Sequence, residues 1–249
     1  MTIDRLRWIL TFGALAAAFL VADAQAQTAA PTSGASPPIT TITKYRVLIR
    51  RETDALADVT MIRSDAGLTI KAKSSQDVRG GGLSPQFYTS TTDSVLVLAP
   101  SLAPISYTNT RHIDGPGLFA AVRFTNETAV VYGSRTRTRS IALEKDTAKF
   151  VVLDESDLAA LVVLPLQFKA WQVTRVTAIS PFSRSGSSAY GLRFGESETP
   201  PKGVPASDLA FHIDGPDTIT EWLDPITLLP DRIDLPAFQS TIVRAGIPY

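Results

Sequence analysis

The sequence predicts a mainly β protein: a strongly curved antiparallel sheet, half-barrel or open barrel, with one short helix. Three observations predict it. Apolar and polar residues alternate with period 2 in run after run, the pattern of strands with one covered face. Turn residues separate these runs at short intervals along the whole chain. Only one stretch carries helical spacing, and none supports a long amphipathic helix. The runs suggest a sheet of roughly eight to eleven strands.

The amino terminus reads as a processing segment, distinct from the folded part of the chain. Arg5 and Arg7 precede an apolar stretch over 8–21, and Ala24-Gln25-Ala26 supplies small residues for cleavage. Residues 1–26 therefore read as a signal peptide, with an uncleaved anchor as the alternative. The Thr, Ala, Pro, Ser and Gly of 27–40 form a flexible linker that cannot bury apolar surface. Residues 41–249 are then a single β-rich domain, with two related meanders as the alternative organisation. After cleavage no stretch is long and apolar enough to span a bilayer as a helix. The chain has no cysteine. That excludes disulfides, thiolate metal sites, cysteine nucleophiles and a lipidated cysteine. An exported chain without disulfides fits a bacterial envelope, so periplasmic or secreted residence is expected. The 24 basic and 24 acidic residues balance. A chain without net positive charge has no global field to collect nucleic acid, so no such partner is expected.

Order begins near Thr41. Tyr45, Val47 and Ile49 alternate with Lys44, Arg46 and Arg50. Asp65-Ala66-Gly67 is turn chemistry, after which Leu68, Ile70 and Ala72 share one face. Arg79-Gly80-Gly81-Gly82 is a loop. Residues 94–98 read as a deeply buried strand. Pro100 and Pro104 interrupt the ladder because proline has no amide to donate, and Ile105 and Tyr107 follow facing inward. Leu118, Ala120, Val122 and Phe124 share a face of the return strand. Further strands are expected at 129–132, 134–143 and 150–153. The helix spans about two turns from Ser156 as N-cap, with acidic neighbours Asp154, Glu155 and Asp157, to Pro165 as its stop. A strand near 171–179, a Ser-rich loop over 180–188 and a strand through Tyr190, Leu192 and Phe194 follow.

The chain repeats a pentapeptide, at His112-Ile113-Asp114-Gly115-Pro116 and His212-Ile213-Asp214-Gly215-Pro216. The copies hold both histidines of the protein. A two-residue Asp-Gly hairpin needs the next amide to close, and proline lacks it. Both reversals are therefore expected to be wide, with the isoleucine inward and the histidine outward. Duplication and convergent turn chemistry both remain open. A His2Asp2 metal site would need both turns to meet with their histidines inward, against that parity, so no metal is expected. Arg135, Arg137 and Arg139 share one face of an alternating run and are candidate ligands for a phosphate or carboxylate head. A guarded edge strand is the bland alternative. Trp171 and Trp222 are candidate apolar contacts for a ligand, or ordinary core aromatics. No serine sits in a Gly-x-Ser-x-Gly elbow, and no catalytic residue or cofactor motif is assigned.

Three stretches carry a resemblance. They are Val97-Leu98-Ala99-Pro100-Ser101-Leu102-Ala103-Pro104-Ile105-Ser106-Tyr107, the 158–165 helix running into Leu166, and Glu221-Trp222-Leu223-Asp224-Pro225 ahead of Leu229-Pro230. Together they resemble a family of exported bacterial β-domains of unknown function, similar in shape to the half-barrels of lipoprotein carriers (LolA-like). The resemblance implies periplasmic residence and an apolar cavity, and no catalytic residue. The expected function is non-catalytic: binding a lipid or other apolar ligand, or assisting envelope assembly. The partner would be that ligand or an envelope protein. The alternatives are a structural or interaction protein with a filled core, and a hydrolase working through Glu196 and Glu198.

Overall fold

The computed structural model describes residues 36–49, 52–79, 87–112, 117–125, 128–134, 138–143, 149–154, 157–182, 186–195 and 198–248. Residues 1–26, most of 27–40, the triple glycine, Ile113 to Pro116, Arg135, Arg137, Ser156 and Glu196 lie outside the described residues. In chain order the strands are β1 (Ile39–Ile49), β2 (Glu52–Ser64), β3 (Gly67–Arg79), β4 (Phe87–Leu98), β5 (Pro104–His112), β6 (Leu118–Phe124), β7 (Thr128–Gly133) and β8 (Arg139–Ala142). Then follow β9 (Lys149–Val152), helices α1 (Leu158–Leu161) and α2 (Leu164–Trp171), and β10 (Arg175–Ile179), β11 (Ser187–Phe194), β12 (Leu209–Asp214), β13 (Ile219–Leu223), β14 (Pro230–Leu235) and β15 (Ser240–Arg244).

All fifteen strands of the described residues belong to one sheet, ordered β8-β7-β6-β5-β4-β3-β2-β1-β15-β14-β13-β12-β11-β10-β9. The first and last of them pair in its middle, Val47 opposite Ile242, and so zip the two halves together. The sheet is not closed: β8 and β9 are its edges. This is an open antiparallel barrel with one short, interrupted helical stretch, as the alternation predicts. Among these strands only β9 and β10 run parallel, because the helical crossover between them returns the chain to its starting end.

The sheet exceeds the expected strand number for a physical reason. In β2 the inward residues are Ala55, Ala57 and Val59, buried to 7%, 3% and 1% exposure, while Leu56 on the outer face is 63% exposed. Alanine inside and leucine outside erase the contrast on which strand recognition depends. Elsewhere the alternation holds: Leu68, Ile70 and Ala72 of β3 face the core, as do Leu96 and Leu98 of β4. Between Val47 and Leu48 the β1–β2 register shifts past Asp54 of β2, and Leu48 is buried against the simple alternation. Tyr107 is fully buried, but Ile105, next to the rim proline, is 46% exposed rather than inward.

The helical stretch differs from expectation at both ends. Asp157 is the N-cap, its carboxylate accepting from the Ala159 amide at 3.1 Å. Pro165 does not stop the helix; it occupies the first turn of α2, where its missing N–H has no partner to lose and its fixed φ is already helical. α2 therefore runs on through Trp171, so that the expected strand near 171 begins only at Arg175. Gln172 closes α2 in the left-handed conformation at φ 54°, its amide donating to the Phe168 carbonyl at 2.9 Å.

Residues 158–164 are all buried, which an isolated two-turn helix could not achieve without walls around it. α1 packs on β3 and β4. On the other side Phe168 makes edge-on contacts with Phe194 and Phe211 at 5.2 and 5.4 Å between ring centroids. The helical stretch thus fills the interior between two walls of the barrel.

Antiparallel order sorts the connections onto two rims. One rim carries the β2–β3, β4–β5, β6–β7 and β13–β14 turns with the end of α2. The other carries the β5–β6, β10–β11 and β12–β13 turns with the start of α1. The Leu-x-Pro turns share the first rim, and both HIDGP stretches share the second. The Leu-x-Pro turns also share a conformation. Leu102 and Leu228 both adopt positive φ, 62° and 57°, and a register shift precedes each turn, at Val97/Leu98 and Trp222/Leu223. The HIDGP reversals differ. Arg111 and Leu118 are the last pair of the first and Ile213 and Ile219 the last pair of the second, so the second is one residue shorter between its paired ends.

Gly67 fixes the approach of two rim turns. Its φ is +131°, and a Cβ there would lie 2.1 Å from the Leu98 carbonyl oxygen. Gly67→Ala is expected to destabilise by about 1–3 kcal/mol through backbone strain and collision. Chemical denaturation checks this; an unchanged midpoint would contradict the close approach.

Candidate functional site

The second rim is closed by side chains. Asp154 at the end of β9 pairs with Arg111 of β5, and the Arg111 guanidinium lies 4.2 Å over the Phe182 ring. Arg139 at the start of β8 donates to the Ser180 carbonyl at 3.1 Å and packs by Gly186. Arg139 thus clasps the edge strand β8 to the β10–β11 connection, away from the first rim. Just inside, Asp157 accepts from Ser94 Oγ at 2.6 Å and from the Tyr107 hydroxyl at 2.8 Å. Asn109 Nδ2 in turn donates to the Tyr107 hydroxyl at 2.9 Å. Burial raises the Asp157 carboxyl to about 6, with neighbouring Asp154 adding to the shift. Burial likewise raises the Tyr107 phenol.

Among the described residues the first rim is open, and a cleft of about 810 Å³ lies there. That size falls within the range of small-molecule sites, roughly 300–1,000 Å³. Its walls come from the β2–β3 hairpin, the β4–β5 turn, the end of β6, the start of β9 and the end of α2. The floor is apolar and half-buried: Leu102, Phe124, Leu143, Phe150 and Trp171, above buried Leu68. Arg63, Asp65 and Lys149 supply its charges.

Local folding explains this placement. The left-handed Leu102 aims the β4–β5 turn at the helix end, where Gln167 Nε2 donates to the Leu102 carbonyl at 2.9 Å and Trp171 Nε1 donates to the Ser101 carbonyl at 2.7 Å. With its only donor used, the Trp171 indole presents its ring to the cleft, and the Lys149 ammonium stands 5.8 Å from the ring centroid.

Of the candidate ligand residues, the structure brings Trp171 to this cleft. Arg139 is at the opposite rim, and Arg135 and Arg137 lie outside the described residues. Trp222 is 7% exposed on the face of β13 opposite to Glu221, between Ala210 and Arg232 in the ladder, and does not line the cleft. Arg63 and Lys149 carry no sequence signal of their own, because each reads as an outward charge at a strand end. The alternating runs ending at the turn beside Arg63 were the available signal.

The second histidine is outward by parity but not solvated. Among the described residues, His212 Nε2 meets Glu198 at 2.7 Å and Nδ1 meets the Thr220 hydroxyl at 3.3 Å. The crossing that carries Glu198 covers the ring, leaving His212 7% exposed. Sequence alternation cannot show a loop folding back over an outer face. Glu198 is thus engaged with His212 and Arg193 rather than with a second carboxylate among the described residues. Asp214 accepts from Arg193 Nε at 3.0 Å. His112 is exposed.

Two acidic positions face inward in the C-terminal half. Glu221 is fully buried, both its oxygens lack a hydrogen-bond partner among the described residues, and desolvation raises its carboxyl well above the ordinary range. Asp231 pairs with Arg244, and burial together with Asp231 raises Asp208 to about 6. No group of three or more His, Asp or Glu among the described residues is placed to hold a metal ion.

No protein-family model matches the chain, and no curated protein does. Among solved structures, the chain is similar to a β-barrel-like protein of a domain of unknown function (DUF1849) from Brucella abortus. That match has 9% identity and a TM-score of 0.48, covering 83% of this chain and 94% of the other.

Proposed function

We propose that the protein is an exported, non-catalytic binding protein of the bacterial envelope that takes an apolar ligand in the cleft at its open rim. One observation carries the reading: half-buried Leu102, Phe124, Leu143, Phe150 and Trp171 line a space of ligand size at the first rim. Apolar walls with few polar groups are the usual makeup of a small-molecule site. The signal-like amino terminus supports export. The filled interior favours one rival, a structural envelope protein without a ligand, since the helix occupies the space a larger apolar cavity would need.

A single titration decides between them. A neutral fluorescent apolar dye such as N-phenyl-1-naphthylamine is expected to bind saturably, one per chain. Trp171→Ala is expected to weaken it roughly tenfold, the loss of one aromatic contact face. A protein that leaves the dye dark and carries no lipid by native mass spectrometry favours the structural rival.

A further inference from the structure

Resting on that binding reading, we propose that the cleft selects its ligand by charge: a single-chain amphiphile with a carboxylate head, its chain on the apolar floor and its head between Arg63 and Lys149. The two cations reach the cleft from different walls, Arg63 from the end of β2 and Lys149 from the start of β9. Both are exposed, so they remain hydrated and available to a head that itself stays partly in water. Among the described residues neither Arg63 nor Lys149 lies within salt-bridge distance of a carboxylate, unlike Arg111, Arg193, Arg232 and Arg244, and of such cations these two line the cleft.

Asp65 is the one acid on the lining among the described residues. Among the described lining residues, two cations against one carboxylate leave an excess of a single positive charge, which matches a monoanion. The carbonyl end of α2 also faces this rim and by itself would oppose an anion. Lys169 in its last turn answers those carbonyls, so the two lining cations are not needed there. A head held this way gains from charge only what exposed pairs give, a few-fold each, screened by salt. The apolar floor supplies the affinity, and the cations supply the choice.

The test uses the full mature chain and three twelve-carbon probes below their micelle concentrations: dodecanoate, dodecanol and dodecyltrimethylammonium. Dissociation constants are measured by calorimetry at low and high salt. Dodecanoate is expected to bind roughly tenfold tighter than dodecanol at low salt, with the cationic probe weakest and the spread shrinking at high salt. Arg63→Gln and Lys149→Gln should each cut the ratio of dodecanol to dodecanoate dissociation constants by roughly threefold. Lys73→Gln, on the outer face and paired with Asp93, should leave that ratio where it was. Equal binding of dodecanoate and dodecanol, or preference for the cationic probe, overturns charge selection while leaving the apolar site standing. Failure of all three probes to bind removes the apolar site and the selection with it.

Discussion

Asp157→Ala is expected to destabilise the protein most at acid pH, by about 3–5 kcal/mol near pH 5, and by about 1.4 kcal/mol less near pH 7.5. The first part follows from what the carboxyl holds. It caps α1 and accepts from Ser94 and Tyr107 of β4 and β5. Its removal deletes a cap worth about 1 kcal/mol, leaves the buried Tyr107 hydroxyl proton without its acceptor at about 1–3 kcal/mol, and leaves Ser94 Oγ with only the Ala72 carbonyl at 3.4 Å. The second part follows from titration. The folded carboxyl sits at about 6 against an ordinary 3.8, so folding raises its affinity for a proton. The associated stability is complete below the unfolded value and is lost as pH rises through the folded one. Wild-type stability should therefore fall between about pH 4 and 7 by roughly 3 kcal/mol on account of this group. Asp157→Ala and Asp157→Asn should both flatten that slope. Urea denaturation at a series of pH values reads both effects. An identical pH slope in wild type and both variants would show that Asp157 does not titrate in this window.

Glu221→Met is expected to stabilise the protein at neutral pH by about 3 kcal/mol. The side chain it replaces lies between Phe211 and Ile233 in the ladder, fully buried, with neither oxygen partnered among the described residues. A buried polar group without a partner costs about 1–3 kcal/mol. The raised carboxyl adds a further loss as pH climbs, with the same sign as Asp157, because folding again favours the protonated form. Methionine matches the length and adapts to the space. For a domain of this size the gain corresponds to a melting temperature higher by about 6–12 °C. Glu221→Gln should remove the pH dependence while recovering less stability, since its amide stays unpaired. A lower melting temperature for Glu221→Met would mean that the carboxyl has a partner or a role that these contacts do not show.

Strands with large apolar residues inside are legible in the amino-acid sequence. Leu68, Ile70 and Ala72, or Ala120 and Val122, declare their face by spacing alone. β2 does not, because alanine buries little and Leu56 faces out. The helix is legible as an element but not in its limits, since Pro165 is compatible with either a stop or a first turn. At the site, Trp171 and the Leu-x-Pro turns are visible as features. Nothing along the chain shows that Leu102 turns back onto the helix end.

The sequence by itself determined the class of the fold, the faces of most strands, the width of the second HIDGP reversal and the absence of every cysteine-based chemistry. These follow from backbone periodicity, from the lack of a proline amide and from composition, all local properties. The tertiary structure alone decided that one rim is clasped and the other open. It decided that His212 is covered while His112 is not, and that Arg63 and Lys149 stand beside an apolar cleft. Each of these depends on residues far apart in the chain meeting as the sheet curves, and side-chain period carries no information about which strand ends meet.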